Sequence, residues 1–187
     1  MSSDEYEYHG RLGRLHYKDI KILSIMLQLV SATKNDLNTV AELAKIIWNN
    51  HYVPIIGQEQ VNYMLDKIYN YESLVEQLEV KNHQFYFIKN QSETCGFLSI
   101  STEDKLVFFL HKIYINSKNA HAGIGTMVLN KLEEMFNPKK ISLTVNRENY
   151  KSINFYFKNG FKIESVENFD IGNGFEMNDF VMIKTFD

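Results

Sequence analysis

The spacing of the apolar residues changes once along the chain, near His83, and this change is the strongest constraint on the fold. Between residues 37 and 78 the apolar residues recur at three- and four-residue steps, which predicts amphipathic helices. From His83 onward, short apolar blocks are separated by polar turns of three or four residues, which predicts an antiparallel meander of strands. Helices followed by a meander are typical of a mixed α/β domain built on a central sheet.

The elements predicted from these patterns fill almost the whole chain. Helices are predicted over 37–48, 58–68, 71–78, 126–136 and 149–158, where the third can continue the second, and strands over 21–32, 84–89, 95–101, 106–115, 140–145, 161–166 and 175–185. We therefore expect one mixed α+β domain over residues 21–187, with a mostly antiparallel sheet of six to seven strands and about four helices. Residues 1–20 show no clear period and are predicted to form an N-terminal tail or a packed arm.

The charge and the cysteine content exclude several classes of protein. The net charge is −3 and no basic run is present, so nucleic-acid binding is not expected. Cys95 is the single cysteine, so one chain can form neither a disulfide framework nor a cysteine-built zinc site. No apolar run reaches about 18 residues and the N-terminus lacks an apolar signal segment, so we expect a cytoplasmic protein without a membrane span. The six histidines are scattered, so no metal site is predicted.

The strongest chemical signal is a predicted strand, loop and helix over residues 106–136. The loop carries Lys118, His121, Gly123 and Gly125 immediately before the helix. Glycines allow a ligand to approach the backbone closely, and the free N–H groups and dipole of a helix start favour an anion such as a phosphate. An ordinary glycine-containing helix start is the alternative. Neither the Walker A pattern nor the third glycine of a Rossmann fingerprint is present.

Two blocks of sequence resemble the GNAT superfamily of N-acetyltransferases. The segment LHKIYINSKNAHAGIGTMVLNKLEE is similar to the family's acetyl-CoA-binding segment, in which Gln/Arg-x-x-Gly-x-Gly/Ala opens a helix after a hydrophobic strand end. Both glycines match, whereas Ala120 departs from the pattern because the family has Gln or Arg at that position. The segment LTVNRENYKSINFYFKNGF resembles the family's next strand and helix, with matches at Asn149, Ser152, Phe155, Tyr156, Gly160 and Phe161. The resemblance covers roughly residues 21–185.

This resemblance implies a splayed sheet, acetyl-CoA as co-substrate and a primary amine of a small molecule or peptide as acceptor. The expected reaction is direct acetyl transfer in a ternary complex, because no activated cysteine or serine nucleophile is evident. The residues expected to contact acetyl-CoA are Ile113, Tyr114, Ile115, His121, Ala122, Gly123, Ile124, Gly125, Thr126, Asn149 and Tyr156. Because Ala120 removes one contact to the pyrophosphate, a catalytically degenerate acyl-CoA-binding regulatory module is an alternative, and a purely structural domain is a third. The chain is expected to be a monomer or a homodimer.

Three residues have chemical roles that the resemblance implies. Tyr156 lies where the family places a tyrosine, and we predict that it protonates the departing CoA thiolate. Asn149 is expected either to cap a helix or to contact the pantetheine arm. His111 is the predicted general base, since it resembles the histidine that arylalkylamine acetyltransferases carry at the same offset and its ordinary pKa is near neutral. The alternative for His111 is a histidine that is hydrogen-bonded on a face of the sheet.

The acceptor pocket is predicted to lie between the first helices and the last hairpin. The residues expected in its wall are Trp48, Tyr52, Gln60 and Met64, although a core with a surface turn is an equal interpretation. The glycine-rich segment 168–174 can form a mobile rim. Asp170, Glu176 and Asp179 can attract an amine cation, and an acidic edge in solvent is the other interpretation. No motif identifies the amine.

Overall fold

The structure is a computed structural model that describes residues 27–119 and 123–186. This part of the chain forms one seven-stranded sheet and six α-helices. The strands are β1 (Leu27–Ser31), β2 (Gln84–Asn90), β3 (Glu93–Thr102), β4 (Val107–Ile115), β5 (Lys140–Asn146), β6 (Lys162–Gly172) and β7 (Phe175–Thr185). The helices are α1 (Leu37–His51), α2 (Val53–Ile56), α3 (Gln58–Ile68), α4 (Tyr71–Glu79), α5 (Ile124–Phe136) and α6 (Tyr150–Lys158). The predicted mixed α/β fold is confirmed, and the predicted arm over residues 1–20 lies outside the described residues.

The sheet splits in its middle. The strand order is β1-β2-β3-β4-β5-β7-β6, and neighbouring strands are antiparallel except β4 and β5, which are parallel. β4 pairs with β5 only over Val107 to Phe109, opposite Lys140 to Ser142. Beyond these residues the two strands separate, which is the splay that the resemblance implies. The remaining halves of β4 and β5 therefore face a gap and not a neighbouring strand.

Two apolar cores cover the two faces of the sheet around this gap. One core packs α5 and α6 on one face of the sheet, and the other packs α1, α3 and α4 on the opposite face. Successive residues of a strand point to opposite faces, and accordingly Phe97 belongs to the second core whereas Leu98 belongs to the first. Because both faces of the central strands are covered, these strands form nearly continuous apolar runs in the sequence.

The segment predicted as a mobile rim has a different structure. β6 continues to Gly172 and β7 begins at Phe175, so only a tight turn separates the two strands. The tip of this hairpin is tied to α3, because the Tyr63 hydroxyl donates to the carbonyl of Ile171 at 2.6 Å and the Gln60 amide donates to the carbonyl of Glu176 at 2.8 Å. The prediction of a glycine-rich loop over 168–174 was therefore wrong, since residues 168–172 belong to β6 and only Asn173 and Gly174 form the turn.

Gly96 provides a test of the packing beside the gap. A Cβ at this position would lie 2.0 Å from the carbonyl oxygen of Tyr114 on the adjacent strand β4, which cannot move without shifting the backbone. We expect Gly96→Ala to lower the free energy of unfolding by about 1–3 kcal/mol, as overpacking does, measured by urea denaturation. Thr94→Ala, on the same strand, is the control because it adds no atom. Equal stability of Gly96→Ala and the unaltered protein would contradict this packing.

Candidate active site

The gap between β4 and β5 opens into a cavity of about 610 Å³. This volume is within the range of small-molecule sites. Its wall contains most of the residues predicted from the sequence, namely Trp48, Tyr52, Gln60, Met64, His111, Ile113, Tyr114, Ile115, Gly123, Gly125, Thr126, Asn149 and Tyr156. Ile124 is not in this wall, because its side chain is 2% exposed and packs in the core below α5. His121 and Ala122 lie outside the described residues, as does Ala120.

The start of α5 forms one end of the cavity. Gly123 has a left-handed backbone with φ of +70°, and no side chain of a described residue caps the helix after it. The first intrahelical bond at this end joins the Met127 N–H to the Gly123 carbonyl, so the earlier N–H groups have no helical partner. A Cβ at Gly125 would lie 2.8 Å from the ring of Phe155. This end therefore offers free N–H donors where two residues without side chains allow a close approach, which suits an anion.

α6 places Asn149 and Tyr156 on the same wall. The Asn149 side-chain oxygen accepts from the Ser152 N–H at 3.2 Å and caps the helix, as one interpretation predicted. Its Nδ2 is buried and has no partner within hydrogen-bond distance among residues 27–119 and 123–186, although the Asn149 side chain also interacts with the Tyr52 hydroxyl, and Asn149 is only 2% exposed. Burial raises the pKa of the Tyr156 hydroxyl above its ordinary value, so this group stays protonated at neutral pH. The wall thus presents one spare amide donor and one hydroxyl donor.

These features fit coenzyme A, although no ligand is part of the structure. The free N–H groups at α5 suit a pyrophosphate, and β4 has no strand partner on the side of β5 at Ile113 and Ile115, which line the cavity. The unpartnered Nδ2 of Asn149 is a donor for an amide carbonyl of the pantetheine arm. An unsatisfied buried donor is costly, so a ligand that accepts its hydrogen bond is favoured.

An aromatic cluster forms the wall on the side of α1 and α3. Its rings are Trp48, Tyr52, Tyr69 and Tyr114. The Tyr69 hydroxyl donates to the Tyr114 hydroxyl at 3.2 Å, and the Trp48 ring lies 4.5 Å from the Tyr52 ring. Trp48 belongs to the core as well as to the cavity wall. The interpretation of this segment as core and its interpretation as pocket wall are therefore compatible.

His111 lies at an irregularity in β4. Ser99 pairs with Lys112 and Ile100 pairs with Leu110, so His111 is the extra residue of a β-bulge. Its Nε2 is 2.8 Å from the Ser101 hydroxyl, and its ring stacks on His83 at 3.7 Å. Burial, His83 and Lys112 lower the pKa of His111 to about 3. The side chain therefore matches the alternative of a hydrogen-bonded histidine on the sheet, and its low basicity disfavours the predicted role of general base.

Lys112 was not predicted as part of the site. The bulge turns it to the face covered by α1, α3 and α4, where its Nζ donates to Gln77 Oε1 at 2.6 Å and lies 5.6 Å from the ring centres of both Tyr69 and Phe85. Burial lowers the pKa of Lys112 to about 7. The sequence hint was a lysine inside a mostly apolar strand. The sequence does not show the bulge, however, and the bulge decides on which face of the sheet the lysine lies.

Asp179 was considered only as one of three acids near the last hairpin. Asp170 and Glu176 are exposed, as the acidic-edge interpretation expected, but Asp179 is 6% exposed and lies in the cavity wall. Burial raises its pKa to about 6, against the opposing effects of the Thr144 hydroxyl and the Arg147 charge. The sequence hint for its burial was its spacing: Phe175, Met177 and Asp179 are two residues apart and therefore lie on one face of β7.

The sequence predicted neither a metal site nor a membrane-spanning segment. Within residues 27–119 and 123–186, no cluster of three His, Cys, Asp or Glu side chains is placed to hold a metal ion. Over the same part of the chain, no helix is both long and apolar enough to cross a membrane.

Comparison with known proteins decides the family. The model of the acetyltransferase (GNAT) family matches residues 42–161. The chain belongs to the GNAT family. The match includes β4, the start of α5 and all of α6, which are the elements that form the cavity. GNAT proteins of this kind are acyltransferases, so the chain is an enzyme that transfers an acetyl group from acetyl-CoA to an amine.

Relatives agree with this assignment. A protein of Thermoplasma acidophilum described as a spermidine N(1)-acetyltransferase is 26% identical over 159 residues, which cover 81% of this chain and 92% of the relative. The crystal structure of the PaiA N-acetyltransferase of Thermoplasma acidophilum in complex with coenzyme A is 25% identical, with a TM-score of 0.68 and coverage of 86% of this chain and 99% of that one. A GCN5-related N-acetyltransferase of Rhodopseudomonas palustris shares the fold at 14% identity, with a TM-score of 0.70 and coverage of 85% and 95%.

The stacked histidines predict how stability depends on pH. The folded-state pKa values of His83 and His111 are about 4 and 3, whereas the unfolded chain has the ordinary value near 6.5. Between pH 6.5 and 4 the unfolded state therefore binds protons that the folded state does not. As the pH is lowered through this range, the free energy of unfolding falls by up to about 1.4 kcal/mol per pH unit for each histidine. Asp179 opposes this trend, because its folded-state pKa is raised to about 6.

We expect His111→Gln, which retains a hydrogen-bonding group for Ser101, to reduce this slope. Urea denaturation between pH 4.5 and 7 measures it for both proteins. The same slope in His111→Gln and the unaltered protein would contradict the low basicity of His111.

Proposed function

We propose that this GNAT enzyme acetylates the primary amine of a small molecule or peptide by direct transfer, with acetyl-CoA and the amine bound at the same time. The gap between β4 and β5 carries this proposal, because Asn149 Nδ2 and the Tyr156 hydroxyl both lie on its wall. The relative named as a spermidine N(1)-acetyltransferase supports an amine acceptor. The same relative makes polyamines one group of amines to be tested.

The elements around the gap have separate proposed roles. The N–H groups at Gly123 to Thr126 bind the pyrophosphate, and main-chain groups of Ile113 and Ile115 align the pantetheine arm as an added strand would be aligned. Asn149 Nδ2 donates to a carbonyl of that arm. These contacts fix the thioester beside Tyr156.

Tyr156 is the proposed general acid. Attack of the amine nitrogen on the thioester carbonyl forms a C–N bond, and collapse of the intermediate breaks the C–S bond. The Tyr156 hydroxyl then gives its proton to the CoA sulfur and is reprotonated from solvent. Its raised pKa keeps the proton available at neutral pH.

Two further groups bear on the path of the reaction. Cys95 is buried in the first core and is not among the described residues of the cavity wall, which supports direct transfer without an acyl-cysteine. The attacking amine must lose a proton, for which His111 was the predicted acceptor. Because the pKa of His111 is lowered to about 3, we favour loss of this proton through water.

Tyr156→Phe tests the proposed acid. We expect turnover to fall by about 10²-fold or more, the usual range for general acid catalysis, while the affinity for acetyl-CoA changes little. Release of CoA thiol over a panel of amines gives the turnover, and calorimetry gives the affinity. Tyr150→Phe is the control, because Tyr150 is on the same helix but is 63% exposed. Full turnover in Tyr156→Phe would exclude the proposed acid.

Gly125→Ala tests the proposed position of the pyrophosphate. The added Cβ would collide with the Phe155 ring, and both residues line the end of the cavity, so the displaced ring should disturb this end and we expect the Kd for acetyl-CoA to rise about tenfold or more. Asn130→Ala, on the exposed side of the same helix, should leave the Kd unchanged. An unchanged Kd in Gly125→Ala would place the pyrophosphate elsewhere.

A further inference from the structure

The lining of the acceptor side of the cavity limits which amines fit as the acceptor. It is the part formed by α1, α2 and α3 together with Met177 of β7. Its apolar lining includes Trp48, Ile56, Met64 and Ile68. Ligand parts that contact such a surface gain by leaving water, so the body of the acceptor should be apolar.

Asp179 is the only carboxylate among the described residues that line the cavity. It is 6% exposed, and no described residue forms a salt bridge with it. Thr144 donates towards it, and the Arg147 guanidinium, whose charge also acts on it, is hydrogen-bonded to Asn168 at 2.7 Å. A buried carboxylate with so little compensation favours binding of a cation.

The carboxylate lies close to the aromatic cluster. The charge of Asp179 contributes to the raised pKa of Tyr52, whose hydroxyl also interacts with Tyr114 and Asn149. An ammonium group bound by Asp179 would therefore lie beside the aromatic rings and near the wall that carries Asn149. Aromatic faces attract cations, so an ammonium at this position would be stabilised both by the Asp179 carboxylate and by the aromatic rings.

A second ammonium group would find no such partner. Apart from four tyrosines, the other ionisable side chains of the described lining are Lys112, Lys151, His51 and His111, all of them basic. Lys112 is buried in the wall opposite β7 and already donates to Gln77. A second cation in the cavity would thus be desolvated without a carboxylate and would be repelled by a lysine.

We infer that the acceptor is a primary monoamine with an apolar or aromatic body, whose ammonium is bound by Asp179 and loses one proton through water before its nitrogen attacks the thioester. This inference rests on the proposed acetyl transfer. It also separates the chain from the relative that is described as acting on spermidine, a polyamine.

The first test compares two acceptors of equal length with the unaltered full-length enzyme. Hexylamine and 1,6-diaminohexane differ only by the second ammonium group. We expect kcat/KM for hexylamine and for 2-phenylethylamine to exceed that for 1,6-diaminohexane and for spermidine by about tenfold or more. Equal or higher kcat/KM for the diamine or spermidine would overturn the inference while leaving the proposed acetyl transfer intact. Failure to acetylate any amine, with acetyl-CoA bound, would contradict both.

The second test removes the charge of Asp179. Asp179→Asn should raise the KM for hexylamine about tenfold or more and leave the KM for acetyl-CoA within about twofold, which a general loss of structure would not do. Glu176→Gln removes the same charge from the exposed face of the same strand and should change neither KM. An unchanged KM for hexylamine in Asp179→Asn would show that another group binds the ammonium. The comparison of hexylamine with 1,6-diaminohexane does not depend on this variant.

Discussion

The loss of pairing between β4 and β5 is the constraint on which the rest of the structure depends. Two parallel strands that stay paired would close the sheet and leave no cavity at its centre. Because pairing stops after Phe109 and Ser142, backbone groups beyond them need another partner, and a ligand with its own amides can supply one. The first core contains buried residues of both β4 and β5, so the helices packed on it hold the two strands in place on either side of the gap. The helices thus stabilise the separation of β4 from β5 as well as the paired parts of the sheet.

Burial of ionisable groups with neutral partners is the second feature of the site. Lys112 is held by Gln77, and His111 is beside Ser101. Asp179, on the other wall, has the Thr144 hydroxyl. None of these arrangements is an ion pair, so each group keeps a pKa displaced by burial. At neutral pH His111 is consequently uncharged, whereas Asp179 at β7 is still mostly ionised, and its charge would orient the proposed cationic acceptor.

Local sequence patterns were sufficient for the elements, and most of the residues they predict to contact acetyl-CoA lie in the wall of one cavity. Apolar spacing predicts α1 and α3, and the two glycines together with the block around Tyr156 indicate where acetyl-CoA binds. The roles of His111, Lys112 and Asp179 could not be read in this way. His111 and Lys112 depend on a bulge in the pairing of β4 with β3, and Asp179 depends on β7 lying beside β5. These are properties of tertiary register, which neighbouring residues do not encode.

Hydrogen–deuterium exchange with and without acetyl-CoA tests the central claim most directly. If acetyl-CoA occupies the gap, residues 110–119 and 123–128 should gain protection on binding, because they form the part of β4 that is not paired with β5, the residues after it and the start of α5. β1 and β2, at the far edge of the sheet, should be unchanged. Protection elsewhere, with no change in these two segments, would show that the split in the sheet is not the binding site.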